Sequence, residues 1–221
     1  MSLFPAQKIV FDLDGTLIDS APDLHAATNH VLEHIGRKTV TLDQVRHMVG
    51  YGALTLIKLG LEATGDGDEY TPEELRPVFL DYYGKNSTAH TRLFDGALDM
   101  LQHFRAAGVD LAICTNKPFL LTEPILANLG LRDLFSAVSG GDSFDFKKPD
   151  PRHILETASQ MPGEGPIVMV GDSRPDIEAA RAAGVPAIAV SFGYSQTPVH
   201  ELAPDRVIDS LAELKTLITP A

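Results

Sequence analysis

Residues Lys8 to Ser20, KIVFDLDGTLIDS, constrain the fold more than any other stretch of this 221-residue chain. Lys8 to Val10 begin an apolar, β-rich run that continues through Phe11 and Leu13, the pattern of a buried strand. Asp12 and Asp14 interrupt it near its C-terminal end. Side chains alternate faces along a strand, so the two carboxylates are expected on one side. Gly15 then lets the backbone leave the strand. A buried carboxylate is costly unless it is paired or coordinates a metal, and two side by side repel. At ~4 Å and an effective dielectric of ~20, that repulsion is on the order of 4 kcal/mol. The pair therefore calls for a cation or a proton between its members. Alone, a DxD pair also fits two acids ending a strand in solvent; the rest of the chain favours the first reading.

The stretch from about 20 to 90 carries helical signals throughout. Ser20 and Asp23 have capping-box spacing, and Leu24, Ala27, Val31, Leu32 and Ile35 share one helical face up to Gly36. Thr41 with Gln44 opens a second helix. Leu54, Ile57 and Leu61 mark a third after a break at Gly50 and Gly52. The run 65–68 reads as a loop, and Thr71-Pro72-Glu73-Glu74 opens a fourth helix. From Leu93 onward, short apolar strands (110–114, 137–139, 167–170, 186–190 and 206–208) alternate with helices (96–107, 120–129, 151–160, 174–183 and 212–218). This alternation predicts an α/β fold, a Rossmann-like, doubly wound parallel sheet with helices on both faces. The expected organisation is a core of residues 1–19 and 91–221, with an all-α insertion over 20–90. Such an insertion would cover the C-terminal ends of the strands, where open α/β sheets bind ligands.

Further polar groups stand at those strand ends. Thr115-Asn116-Lys117 follows one strand; a hydroxyl and free backbone N–H groups there can hold phosphate oxygens, although a plain polar strand exit has the same look. Lys147-Lys148-Pro149-Asp150-Pro151 forms a loop before a helix, with two adjacent lysines that also suit a solvated surface. Gly171-Asp172-Ser173-Arg174-Pro175-Asp176 follows another strand, and Asp176 stands three residues after Ser173, a capping-box spacing. Carboxylates beside a phosphate site select Mg²⁺ over zinc, and none of the eight histidines forms a zinc-spaced cluster with cysteine.

Phe11-Asp12-Leu13-Asp14-Gly15-Thr16-Leu17 with Asp19-Ser20 resembles the first motif of the haloacid dehalogenase (HAD) superfamily of phosphohydrolases. Ser20-Ala21-Pro22-Asp23-Leu24 and Val49-Gly50-Tyr51-Gly52-Ala53 resemble its phosphoglycolate phosphatase branch. The resemblance implies a helical cap of the C1 type, with Thr115 as a phosphate ligand beside Asn116. It also singles out Lys148, before Pro149, as the catalytic lysine, and makes Asp172 and Asp176 metal-binding acids. Asp12 would then be the nucleophile and Asp14 the general acid and base. Mg²⁺ would be held by Asp12, Asp172, the backbone carbonyl of Asp14, and Asp176 directly or through water. The implied activity is phosphomonoester hydrolysis through an aspartyl-phosphate, with 2-phosphoglycolate as the substrate. Sugar phosphates, nucleotides and pyrophosphate remain open, as does phosphoryl transfer of the phosphoglucomutase type. The loop 49–52 is the expected cap contact; Lys147 and Lys117 compete with Lys148 for the lysine role, the first expected to face solvent and the second to touch the substrate. A regulatory receiver domain also uses Asp, Thr and Lys, but gathers its acids from separate strands and needs only ~120 residues.

Charge bounds the partners. Asp and Glu number 30 against 18 Lys and Arg, a formal net charge of −12, which argues against nucleic acid and anionic membranes. It would also repel a small phosphorylated metabolite, so the binding site must be locally positive. The lone Cys114 excludes an intrachain disulfide and fits a reduced compartment. Neither a signal-peptide pattern nor a bilayer-length apolar run occurs. The expectation is a cytoplasmic protein, monomer or homodimer.

Overall fold

A computed structural model describes residues 4–65 and 69–221. A six-stranded, wholly parallel sheet forms the core. It comprises β2 (Lys8–Phe11), β5 (Asp110–Cys114), β6 (Ala137–Ser139), β7 (Ile167–Gly171), β8 (Ala187–Val190) and β9 (Arg206–Ile208). Their order is β6-β5-β2-β7-β8-β9. The chain starts in the middle, builds outward through β5 and β6, then crosses back to β7 on the other side of β2. The strand order therefore reverses at β2, which opens a crevice beyond its C-terminal end.

Alternation along β2 divides the core. Ile9 and Phe11 pack with Leu111, Ile113, Val168 and Val170 on one face, and Val10 packs with Ala112, Cys114 and Met169 on the other. Each layer is covered by helices, including α5 (Ala97–Ala106) and α6 (Phe119–Asn128) on the first and α7 (Pro151–Ser159) and α8 (Arg174–Ala183) on the second. Among the described residues, no helix is long and apolar enough to cross a membrane.

Between β2 and β5 the chain runs through α1 (Ala21–His34), α2 (Leu42–Arg46), α3 (Ala53–Thr64) and α4 (Pro72–Asn86). Thr41 and Thr71 close capping boxes with Gln44 and Glu74, as their spacing predicts. The helices bury a shared core of Leu24, Val31, Leu32, Leu56, Ile57, Leu75, Phe79 and Tyr83. Of the predicted loop 65–68, residues 66–68 lie outside the described residues.

Four local features depart from expectation. β2 ends at Phe11 rather than running through Leu13, because the amides of Thr16, Leu17 and Ile18 all turn back onto the Leu13 carbonyl. Tight-turn geometry, not strand alternation, therefore aims Asp12 and Asp14. Ser20 and Asp23 form no capping box: Ser20 Oγ donates to Asp14 Oδ1 at 2.5 Å, while Asp23 accepts from the amides of His90 and Thr91 and from Thr91 Oγ1. Two short strands, β3 (Ile18–Asp19) and β4 (Arg92–Leu93), pair antiparallel where the helical segment leaves and returns. The helix expected over 212–218 shrinks to a 3-10 turn, Leu211–Glu213, and a single α-helical turn, α9 (Leu214–Leu217). It gives way to β10 (Ile218–Pro220), which pairs with β1 (Phe4–Ala6).

Candidate active site

The polar groups flagged at separate points of the sequence meet at the C-terminal ends of the three central strands. Asp12 and Asp14 follow β2, Thr115, Asn116 and Lys117 follow β5, and Asp172 follows β7, with Asp176 in the first turn of α8. Lys148 arrives through the loop after β6. All eight of these side chains are buried. Lys148 Nζ donates to Asp12 Oδ1 at 2.8 Å, to Asp176 Oδ1 at 2.6 Å and to the Cys114 carbonyl. Burial opposes its charge, yet Asp12 and Asp176 together hold its pKa above the ordinary lysine value. The loop carrying it is fixed by His153, whose Nδ1 accepts from the Lys148 amide at 3.2 Å. Burial, with Lys148 beside it, pushes this histidine down to about 4, so the ring is neutral and can accept. Sequence reasoning missed His153; five residues from Lys148 in a helix, it carries no motif of its own.

Asp12, Asp172 and Asp176 bring carboxylate oxygens within 4.8 Å of one another. Asp172 is oriented by Thr16 Oγ1 on Oδ1 (3.1 Å) and the Tyr194 amide on Oδ2 (2.7 Å). Asp176 Oδ2 accepts from the amides of Asp172 and Ser173 and from Ser173 Oγ, so it serves α8 as a cap while its Oδ1 faces Lys148. Close packing requires glycine at two points. A Cβ at Gly171 would stand 2.5 Å from the Asp176 Cβ, and one at Gly15, where φ is +85°, 2.5 Å from Asp172 Oδ2.

Burial pushes Asp12 up to about 7 against the pull of Lys148, with Asp176 and Asp14 adding to the rise. Asp172 is raised well above the carboxylate range by burial first, then by Asp176 and Asp12. Four buried carboxylates (Asp12, Asp14, Asp172, Asp176) face two ammonium groups, Lys117 and Lys148. A divalent cation would cancel the remaining negative charge, and the donor set, wholly oxygen, fits a hard ion. Asp12, Asp172 and Asp176 can together hold such an ion.

Asp14 stands apart from that cluster. Lys117 Nζ contacts its two oxygens at 2.9 and 2.7 Å, and Ser20 Oγ adds a third donor. The same ammonium donates to Tyr83 Oη of α4 at 3.0 Å. The cation expected between Asp12 and Asp14 is thus realised as two lysines, one for each acid. Lys147, the neighbour of Lys148, is exposed and donates to the Tyr51 carbonyl.

Between sheet and helices lies a cavity of about 30 Å³, room for about two waters. Asp12, Asp14, Thr115, Asn116 and Lys117 form its floor, and Val49, Gly50, Gly52, Ala53, Leu56, Phe79 and Tyr83 its roof. Val49, Gly50 and Gly52 of the loop 49–52, the expected cap contact, thus line the cavity. Asn116 Nδ2 donates to the Gly50 carbonyl and to the Lys148 carbonyl, both at 3.0 Å, tying roof to floor. The Asn116 amide donors are therefore occupied by backbone. Thr115 Oγ1 accepts from the Lys117 amide at 3.2 Å and keeps its own proton to offer.

Comparison with known proteins agrees with this geometry. The family of haloacid dehalogenase-like hydrolases matches residues 9–190. The chain is 43% identical to a phosphoglycolate phosphatase of Agrobacterium fabrum over 215 residues, covering 96% of this chain and 90% of that one. It is 39% identical to a phosphoglycolate phosphatase of Pseudomonas putida, covering 96% and 80%. The crystal structure of a predicted phosphoglycolate phosphatase from Haemophilus somnus superposes with a TM-score of 0.88 at 30% identity, covering 96% and 97%. With its sheet order, its buried acids and its relatives in accord, the chain belongs to the haloacid dehalogenase-like hydrolases.

Proposed function

We propose that the protein is a Mg²⁺-dependent phosphoric monoester hydrolase that works through an aspartyl-phosphate and takes 2-phosphoglycolate to glycolate and phosphate. The observation that carries this reading is the separation of two acids from one motif. Asp12 belongs to the Lys148–Asp172–Asp176 cluster, and Asp14, in the same cavity, belongs to Lys117 and Ser20. One carboxylate is thereby free to meet phosphorus while the other handles protons.

Asp12, Asp172, Asp176 and the backbone carbonyl of Asp14 would hold Mg²⁺, which when bound screens the charge of the phosphoryl group and the carboxylates around it. Asp12 attacks phosphorus; its oxygen–phosphorus bond forms as the ester bond breaks. Asp14 gives its proton to the departing alkoxide. It then takes one from a water, whose oxygen displaces Asp12 and releases phosphate. Lys148 neutralises Asp12 and the phosphoryl oxygens, while the Thr115 hydroxyl and the backbone at Asn116 hold a further oxygen. Residues 20–90 serve as a cap over the core formed by 1–19 and 91–221. The cap lining is apolar at Leu24, Val49, Leu56 and Phe79, which suits a small ester better than a polyhydroxylated one. Relatives named as phosphoglycolate phosphatases, at about 40% identity over most of their length, support the choice of substrate.

The test is kcat/KM across a panel of phosphoglycolate, sugar phosphates, nucleotides and pyrophosphate, with Mg²⁺ and with EDTA. Phosphoglycolate should rank first and EDTA should stop turnover. A sugar phosphate or nucleotide ranking above it would overturn the substrate, and full activity in EDTA the metal.

A further inference from the structure

Lys117 is a buried charge that the chemistry at phosphorus does not employ. It is 5% exposed, wedged between Asp14 of the core and Tyr83 of α4. A buried ion pair of this kind is a poor source of stability, because desolvating both charges offsets most of their attraction. Its place in the cavity is informative. Among the described residues it is the one cation lining the space between sheet and helices, Lys148 being turned beneath Asp12. Around it, Leu24, Leu56, Phe79 and Leu121 offer no hydrogen bonds. A leaving group rich in hydroxyls would bury them there without partners and bind less well for each one.

We propose that Lys117 is the specificity-determining residue of this site: its ammonium receives a carboxylate carried by the leaving group, with Tyr83 of the cap holding it in place. This deepens the phosphoglycolate reading and rests on it. Spacing is the main reason. The ester oxygen of a bound substrate must meet Asp14, and Lys117 Nζ lies 2.7 and 2.9 Å from the oxygens of that same acid. In phosphoglycolate a single methylene separates the ester oxygen from the carboxylate, so the two groups reach the neighbouring acid and ammonium together. Tyr83 is fully buried, and its hydroxyl accepts from the ammonium while the ring lies 4.8 Å below the charge. Because Tyr83 belongs to α4, the recognising pair is complete only when the helices lie over the sheet.

The experiment compares kcat/KM for phosphoglycolate with that for ethyl phosphate, which replaces the carboxylate with a methyl group. It is run on the wild-type chain, Lys117→Met and Tyr83→Phe, with folding checked by circular dichroism. The wild type should prefer phosphoglycolate by on the order of 100-fold or more, as sites built around a polar partner reject analogues lacking it. Lys117→Met should bring the ratio to within about threefold of unity. Tyr83→Phe, which removes one hydrogen bond, should lower it by about 3–10-fold. A Lys117→Met enzyme that keeps the wild-type ratio overturns the role of Lys117 and leaves the substrate reading standing. A wild-type ratio near one overturns both. Should Lys117→Met fail to fold, an unchanged ratio in Tyr83→Phe overturns the proposal.

Discussion

Asp12 and Asp14 are two residues apart, chemically identical and buried together, yet their surroundings differ. Lys148 and the acids of β7 and α8 surround Asp12; Lys117 and Ser20 surround Asp14. Replacing Asp12 with Asn preserves shape and hydrogen-bonding capacity towards Lys148 but, on the proposed mechanism, removes the nucleophilic oxygen anion. Turnover of phosphoglycolate by Asp12→Asn should therefore fall by on the order of 10⁴-fold or more, with the circular dichroism spectrum unaltered. Near-wild-type rates, in protein freed of host phosphatases, would take the nucleophile's role away from Asp12.

At the scale of elements, the proposed active site depends on how the helical segment is tied to the sheet. Asp23, in the first turn of α1, accepts from the amides of His90 and Thr91 and from the Thr91 hydroxyl, joining the start of the segment to its end. Asp23→Ala would leave the buried Thr91 amide and hydroxyl unpaired, a loss of about 2–3 kcal/mol readable as a lower urea midpoint. A midpoint unmoved within error would show that the tie contributes nothing. This contact also shows where the sequence stops being legible. The parallel core was readable because strands buried on both faces are continuous runs such as Ile167–Val170, and because glycine or proline punctuates the helices. The pairs β3–β4 and β1–β10 were not, since two or three residues are too few to display a period. Ser20 and Asp23 have capping-box spacing and do something else, because a carboxylate buried at Asp14 competes for the Ser20 hydroxyl. The acids of the site were visible as motifs at strand ends. The pairing of Lys117 with Asp14 and Tyr83 was not, because it reaches back 103 residues to the one and 34 to the other.

For the whole molecule, the acid cluster links stability to pH and metal. Asp12 is raised from 3.8 to about 7 and Asp172 moves in the same direction, so the folded protein binds protons that the unfolded chain has released. Stability from these groups is complete below the unfolded value and is lost as pH rises through the folded one. The melting temperature of metal-free protein should therefore fall between pH 5 and pH 7.5. A bound cation needs the ionised carboxylates, so Mg²⁺ should raise the melting temperature more at pH 7.5 than at pH 5. Thermal melts with and without Mg²⁺ at the two values decide it. An equal or larger Mg²⁺ effect at pH 5 would mean that the ion is not held by these acids.

The antiparallel step Ile18–Leu93 and Asp19–Arg92 brings the two ends of the helical excursion side by side before any helix begins. For a chain segment anchored in this way, doubling its length costs only about 0.6 kcal/mol in closure entropy. The sheet is thus nearly indifferent to how much polypeptide loops out above it. On the proposed reading, the reacting groups and Lys117 stay at the strand ends, while the overhanging helices, which supply Tyr83, can change in length without rebuilding the floor beneath them.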